Sequence, residues 1–104
     1  MVQRGTSPSA YIETAIASRR LLRLVYDGHT REVEPHTYGV TRKGRRALVA
    51  YQVRGGSRSG EYMGWKTFHE DEMRNVSMMD DAFVGPRDGY RRDDPAFASI
   101  FAQL

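Results

Sequence analysis

The chain contains no cysteine, and this absence excludes disulfide bridges, thiolate metal ligands and a cysteine nucleophile. It also lacks any apolar run close to the roughly 18 residues of a membrane span, and its first residues lack the apolar core of a secretory signal. We therefore expect a soluble protein of the cytoplasm with no membrane contact. With 104 residues, the chain is long enough for one compact domain and too short for two.

Basic residues are concentrated in the first part of the chain. Residues 1–60 hold eleven Lys and Arg against four Asp and Glu, whereas residues 61–104 hold five against nine. A basic region attracts anions such as nucleic acid or phosphate-bearing small molecules, although ordinary solvated surface charge gives the same composition. The eleven Trp, Tyr and Phe residues argue against disorder along most of the chain.

The apolar pattern predicts one helix followed by short strands. Ser7 before Pro8 is typical of a helix start, and we expect the helix to end near Arg20 with one apolar face packed on a sheet. From Leu21 onward apolar residues alternate, which predicts a strand, and Asp27-Gly28 is a tight hairpin turn. Further strands are predicted within 30–40, 41–53, 61–69 and, with weaker alternation, 72–79.

The end of the chain predicts a short helix. Asp94-Pro95 repeats the helix-start pattern, and Phe97, Ile100, Phe101 and Leu104 follow at helical spacing. We expect this tail, residues 81–104, to pack back on the barrel or to contact a partner chain. The predicted class is α+β and mainly β, with residues 7–80 forming a small five-stranded Sm-like or SH3-like barrel behind an N-terminal helix; a flat sheet with two helices is the alternative.

Five short motifs resemble, in their order and spacing, the bacterial WYL domain family. They are Ala15-Ile16, Tyr26 to Gly28, Arg31 to Pro35, Leu48 to Tyr51 and Phe68 to Met73. The chain departs from the family where the tripeptide that names it falls on Arg46-Ala47-Leu48, and where two basic positions fall on His69 and Glu72.

The resemblance implies an Sm-like barrel that senses a ligand and that works with transcription regulators or phage-defence systems. The ligands proposed for the family are anions, nucleotides and nucleic-acid fragments among them. These properties are expectations from the resemblance alone.

A cation on the core side of a strand is the main functional signal in the residues themselves. Arg31 shares a strand face with Val33 and Pro35. Its guanidinium is expected either to project over the barrel mouth and bind a phosphate or carboxylate, or to form an internal salt bridge with Asp27, Glu32 or Glu34. Arg42, Lys43, Arg45 and Arg46 cluster at one turn, as a second anion patch or as a solvated hairpin tip.

Trp65 and Lys66 place an aromatic face beside a cation, as single-stranded nucleic-acid platforms do. Tyr51 and Phe68 stand nearby, where bulky side chains also suit a barrel core. The candidate ligand-binding residues are Tyr26, Arg31, Arg46, Tyr51, Trp65, Lys66 and His69.

Catalytic and metal-binding patterns have little support. The three histidines show no paired spacing on one element, and Ser57 lies in a glycine-rich loop without a nucleophile-elbow or phosphate-loop pattern. We therefore expect no cofactor, no metal and no enzyme activity. The preferred hypothesis is a regulatory module that binds a nucleotide or a short single-stranded nucleic acid. The alternative hypothesis is a protein interaction or homodimerisation module without a small-molecule ligand.

Overall fold

The computed structural model describes residues 7–104 as one helix and a sheet of six antiparallel strands. Residues 1–6 lie outside the described residues. They belong to the segment in which no secretory signal was expected. The elements are α1 (Pro8–Ser18), β1 (Arg20–Tyr26), β2 (His29–Thr41), β3 (Arg46–Gly55), β4 (Gly64–His69), a 3-10 turn (Glu70–Glu72), β5 (Arg74–Ala82) and β6 (Phe97–Gln103). Helix α1, within this described part, is too short to cross a membrane.

The N-terminal helix is confirmed, together with its start and its apolar face. Ser7 is extended and Pro8 occupies the first turn, where its missing N–H costs no hydrogen bond. Arg19 ends the helix in the left-handed region, with φ of 55°. The buried side is Ile12, Ala15 and Ile16, which pack into the main core against the sheet.

The hairpin at Asp27-Gly28 is also confirmed. Both residues have positive φ, 51° and 76°. Two-residue hairpin turns with this backbone geometry match the twist of the flanking strands. Tyr26 therefore pairs with His29, and Leu24 pairs with Arg31. This register puts Arg31 on the same face as the core leucines of β1.

Strand β2 organises the sheet because it pairs on both of its edges. Along one edge it pairs with β3, with an irregularity between Pro35 and Thr37. Along the other edge its first part, up to Val33, pairs with β1, and its last part, from Thr37, pairs with β6. The strand order is β4-β3-β2-β1-β5 with β6 beside the far half of β2. Since β4 and β5 stand at the two ends of this order, the pairings of residues 7–104 do not show a closed barrel.

The predicted C-terminal helix is wrong, and the predicted count of five strands is wrong with it. Residues Phe97–Gln103 form β6, which pairs antiparallel with β2. A helix this short is marginal by itself, whereas a strand here satisfies its backbone groups on the open edge of β2. The approach is close, since a Cβ at Gly39 would lie 2.1 Å from the Ser99 carbonyl oxygen. Phe101, expected on a helix that packs back on the barrel or contacts a partner chain, is 41 % exposed and lies against Tyr38 and Arg46.

The sheet carries a layer on each face. Helix α1 covers the face that holds the main core, including Leu24, Leu48 and Phe68. The segment between β5 and β6 crosses the opposite face, where Phe83 and Tyr90 contact side chains of the sheet. This second layer builds the site described next.

Candidate functional site

Arg31 lies on the core face of β2 and is 3 % exposed. Its Nε and Nη2 donate to the Tyr26 carbonyl oxygen at 3.3 and 3.1 Å, and its Nη1 donates to Gln52 Oε1 at 3.4 Å. The guanidinium carbon lies 5.6 Å from the ring centroids of both Tyr26 and Phe68. Burial lowers the pKa of this guanidinium, although an arginine so far from its titration range keeps its charge.

Neither role predicted for Arg31 matches these contacts. A side chain this deeply buried offers a ligand almost no surface. The internal salt bridge is not formed, because Glu32 and Glu34 bind other arginines and Asp27 forms no ion pair within residues 7–104. Arg31 instead ties the end of β1 to β3, and we leave it out of the candidate site.

Tyr26 and His69 lie beside Arg31 at the edge of the main core. The Tyr26 hydroxyl donates to Glu72 Oε1 at 2.8 Å and accepts from the His69 backbone N–H at 3.1 Å. Burial is the main reason that the pKa of Tyr26 is raised. The Nδ1 atom of His69 is buried without a hydrogen-bond partner in the described part of the chain. The two residues therefore fasten β1 to the end of β4.

Arg46 belongs to a different surface. Its Nη1 donates to Ser9 Oγ at 3.3 Å and to the Tyr38 hydroxyl at 3.4 Å, and its guanidinium lies 5.1 Å from the Phe101 ring centroid. The Tyr38 hydroxyl donates in turn to Glu70. Arg46 thus joins α1, β2 and β6, and it lines a cavity with Arg45, Glu70 and Asp71.

Tyr51 and Trp65 lie side by side on the sheet face opposite α1. They are cross-strand partners, with ring centroids 5.6 Å apart in an edge-to-face arrangement. The Arg87 guanidinium lies 4.4 Å from the Tyr51 centroid, and the Trp65 indole Nε1 donates to the Asp88 carbonyl oxygen at 3.0 Å. The crossing segment therefore fixes both aromatic side chains.

A buried histidine anchors this crossing segment. His36 is 0 % exposed; its Nδ1 donates to the Glu34 carbonyl oxygen at 2.8 Å, and its Nε2 accepts from the Arg87 backbone N–H at 3.1 Å. Nε2 can accept only when the ring is neutral, and burial is the main cause of the lowered pKa of His36. Arg87 also binds the Glu34 carboxylate through two hydrogen bonds of 2.8 and 3.1 Å.

The rings of Trp65 and Tyr90 pack on either side of His36, with centroids 4.7 and 5.3 Å from it. Beside these two rings lies a cavity of about 210 Å³, which we call the tryptophan groove. Its lining residues are Thr37, Val49, Trp65, Lys66, Thr67, Gly89, Tyr90, Arg91 and Asp94.

Lys66 and Arg91 contribute to the lining of the tryptophan groove, and neither forms an ion pair within residues 7–104. Trp65 pairs with Tyr51 and Lys66 pairs with Ala50, so these two side chains leave β4 on opposite faces. The Lys66 Nζ donates to two uncharged oxygens, the Glu61 carbonyl at 2.5 Å and Ser57 Oγ at 3.4 Å. Arg91 is exposed, and among the described residues it forms no ion pair. Asp94 is the one acidic lining residue. The groove therefore offers an aromatic wall, hydroxyl groups and a small excess of positive charge.

The structure brings together only part of the predicted ligand set. Tyr51, Trp65 and Lys66 lie at or next to the tryptophan groove, Tyr26, Arg31 and His69 lie at the core edge, and Arg46 lines another cavity beside Glu70. Tyr90 and Arg91 of the tail also line the groove and were not predicted. The aromatic content of the tail was the signal for Tyr90, but its contact with the sheet depends on how the chain crosses it.

In the described part of the chain, no three His, Asp or Glu side chains converge in a way that could hold a metal ion. The turn Glu70–Glu72 contains three consecutive acids, but none of them is buried. A groove lined by one indole, one phenol and two cations that form no ion pair within residues 7–104 is suited to binding a flat, negatively charged molecule.

Fold and site together define a small antiparallel β domain with an aromatic groove bordered by cations. Comparison of the chain with models of protein families, with curated proteins and with solved structures found no match. The resemblance to the WYL family therefore rests on the sequence motifs alone.

Proposed function

We propose that this domain is a non-catalytic regulatory module that binds a nucleotide or a short single-stranded nucleic acid in the tryptophan groove. In this proposal a base stacks on Trp65, and a phosphate meets Lys66 and Arg91. Stacking of one base on an aromatic side chain contributes about 1–3 kcal/mol and tolerates any base. The proposal also places the protein in the cytoplasm. It further supposes that the sheet curls around the α1 core as an Sm-type barrel, as in the WYL family.

One observation carries the proposal: the only tryptophan of the chain lines a cavity together with Lys66 and Arg91, neither of which forms an ion pair within residues 7–104. Arg23 and Arg54, by contrast, both bind the Glu32 carboxylate. A phosphate that approaches Lys66 therefore displaces no ion pair. The Glu61 and Ser57 contacts also hold the ammonium group in place, which reduces the entropy lost on binding.

Calorimetric titration with the tetranucleotide dT4 at 50 and 200 mM salt tests the proposal. Two phosphate contacts on a single strand predict a log–log salt slope of about −1.4, and Lys66→Ala reduces the slope to about −0.7. Lys43→Ala is the matched control, because Lys43 is an exposed cation of the β2–β3 turn outside the groove. Absence of binding at 50 mM salt, or equal losses for both variants, would contradict the proposal.

Homodimerisation through β5 is the second candidate function. β5 stands at one end of the strand order and is mostly exposed. Arg74 begins it, and Asp80 and Asp81 lie near its end, so antiparallel pairing of two copies sets opposite charges together. Asn75 has φ of 53° within the strand, and such an edge irregularity opposes pairing. A concentration-dependent dimer that the charge reversal Arg74→Glu abolishes would support this function.

A further inference from the structure

A second cavity adjoins the tryptophan groove at Trp65 and Lys66. It measures about 480 Å³ and is lined by the consecutive residues 60–66. Trp65 and Lys66 line both this cavity and the tryptophan groove. The two cavities are therefore neighbouring subsites that share one aromatic wall and one cation.

The second cavity presents apolar surface to solvent. Tyr62 is 56 % exposed and Met63 is 52 % exposed, and they are two of the four large apolar residues that are exposed in residues 7–104. Neither side chain is needed by the main core. An exposed phenol next to an indole and an ammonium group is the arrangement on which successive bases of a single strand stack.

Size also favours an extended ligand. The tryptophan groove, at about 210 Å³, is smaller than the roughly 300–1,000 Å³ of pockets that enclose a whole small ligand. A base can enter it, but a complete nucleotide leaves most of its sugar and phosphate outside. A ligand that continues past Lys66 gains the contacts of the second cavity.

We propose that the ligand is a single strand of at least two nucleotides, with one base on Trp65, the next base on Tyr62 and the linking phosphate at Lys66. This inference rests on the function proposed above and adds to it the polymeric nature of the ligand. Lys66 is central because it lines both cavities, and the carbonyl of Glu61, a lining residue of the second cavity, holds its Nζ together with Ser57 Oγ. A free nucleotide fills one subsite and leaves the other empty.

A length series read by the fluorescence of the single tryptophan tests this inference. The probes are thymidine monophosphate, dT2 and dT4, with the matching rU series to separate RNA from DNA. We expect dT2 or rU2 to bind about 5- to 150-fold more tightly than the mononucleotide, because this is the contribution of one further stacked base. A strong preference for either sugar that keeps this length dependence supports the inference and identifies the polymer.

The variant Tyr62→Ala separates the two subsites. It should lower the affinity for dT2 and dT4 by about 10-fold and leave the affinity for the mononucleotide unchanged. Val84→Ala is the matched control, since Val84 is 96 % exposed and borders neither subsite. If the mononucleotide quenches Trp65 as effectively as dT4 and Tyr62→Ala has no effect, the inference is wrong while the proposed function stands. If no probe binds, both are wrong.

Discussion

The ion pair between Glu34 and Arg87 holds the crossing segment on the sheet, and removing it tests this attachment. The Glu34 side chain is 8 % exposed, whereas the Arg87 side chain is 41 % exposed. Two hydrogen bonds of 2.8 and 3.1 Å join them. Arg87→Met removes the cation and leaves a buried carboxylate without its partner.

The expected cost follows from this asymmetry. Breaking a fully buried ion pair costs about 3–5 kcal/mol, but the exposed side of Arg87 lets water replace part of the interaction, so we expect about 2–3 kcal/mol. The double variant Glu34→Gln/Arg87→Met leaves no buried charge and should lose much less, about 1 kcal/mol. The difference between single and double variants measures the desolvated carboxylate directly.

Urea unfolding followed by the fluorescence of Trp65 is the assay, because the indole is bonded to the carbonyl of Asp88, next to Arg87. Arg91→Met is the control, since Arg91 forms no ion pair in the described part of the chain and should change stability by less than about 0.5 kcal/mol. A double variant as unstable as Arg87→Met, or a cost for Arg87→Met below about 0.5 kcal/mol, would refute the reasoning.

Three further predictions concern other parts of the molecule. Burial lowers the pKa of His36 in the folded protein below its unfolded value of about 6.5, so the neutral ring contributes its full stabilisation above that pH. This contribution should fall as the pH drops from 6.5 toward the folded pKa. Urea unfolding at pH 7.5 and 5.5 measures the change, and equal stability at both pH values would contradict the prediction. Gly39→Ala should cost about 2 kcal/mol or more and increase hydrogen exchange in β6, because its Cβ meets the Ser99 carbonyl oxygen, whereas Gly85→Ala should have little effect; equal exchange in both would contradict the close approach. Arg31→Met should lower stability by about 1–3 kcal/mol, since it leaves Gln52 Oε1 without its Arg31 donor and removes two hydrogen bonds to the Tyr26 carbonyl, and it should not change the affinity for dT4. A selective loss of affinity would return Arg31 to the binding site.

Local signals in the sequence predicted the elements whose cause is local. The pair Ser7 and Pro8 sets the helix start through backbone geometry, and Asp27-Gly28 sets the first hairpin because both residues adopt positive φ there. Alternation in β1 and in the first part of β2 then fixed which side chains face the core. These features need no knowledge of distant contacts.

The tail could not be predicted in the same way, because its structure depends on where β2 leaves an open edge. The spacing of Phe97, Ile100 and Phe101 fits a helix as well as a strand, and pairing with β2 decides for the strand. The contact of Arg87 with Glu34 joins residues 53 positions apart and has no local sequence signal.

The candidate site was predicted in part for the same reason. Trp65 and Lys66 are neighbours in β4 and both contribute to the groove lining, but their side chains leave the strand on opposite faces. Arg31 was placed on the correct strand face, but the depth of the core beneath it depends on Phe68 and Gln52 from other strands. Depth of burial is a tertiary property, and alternation alone does not give it.

The indole N–H resonance of Trp65 offers the most direct test of ligand binding in the tryptophan groove, since the chain contains a single tryptophan. In ¹⁵N-labelled protein at 50 mM salt, titration with dT4 should shift this resonance in a saturable way, together with the backbone amides of Lys66 and Tyr90. The shift should weaken at 200 mM salt. An indole resonance that does not move, or shifts confined to β5, would contradict the account.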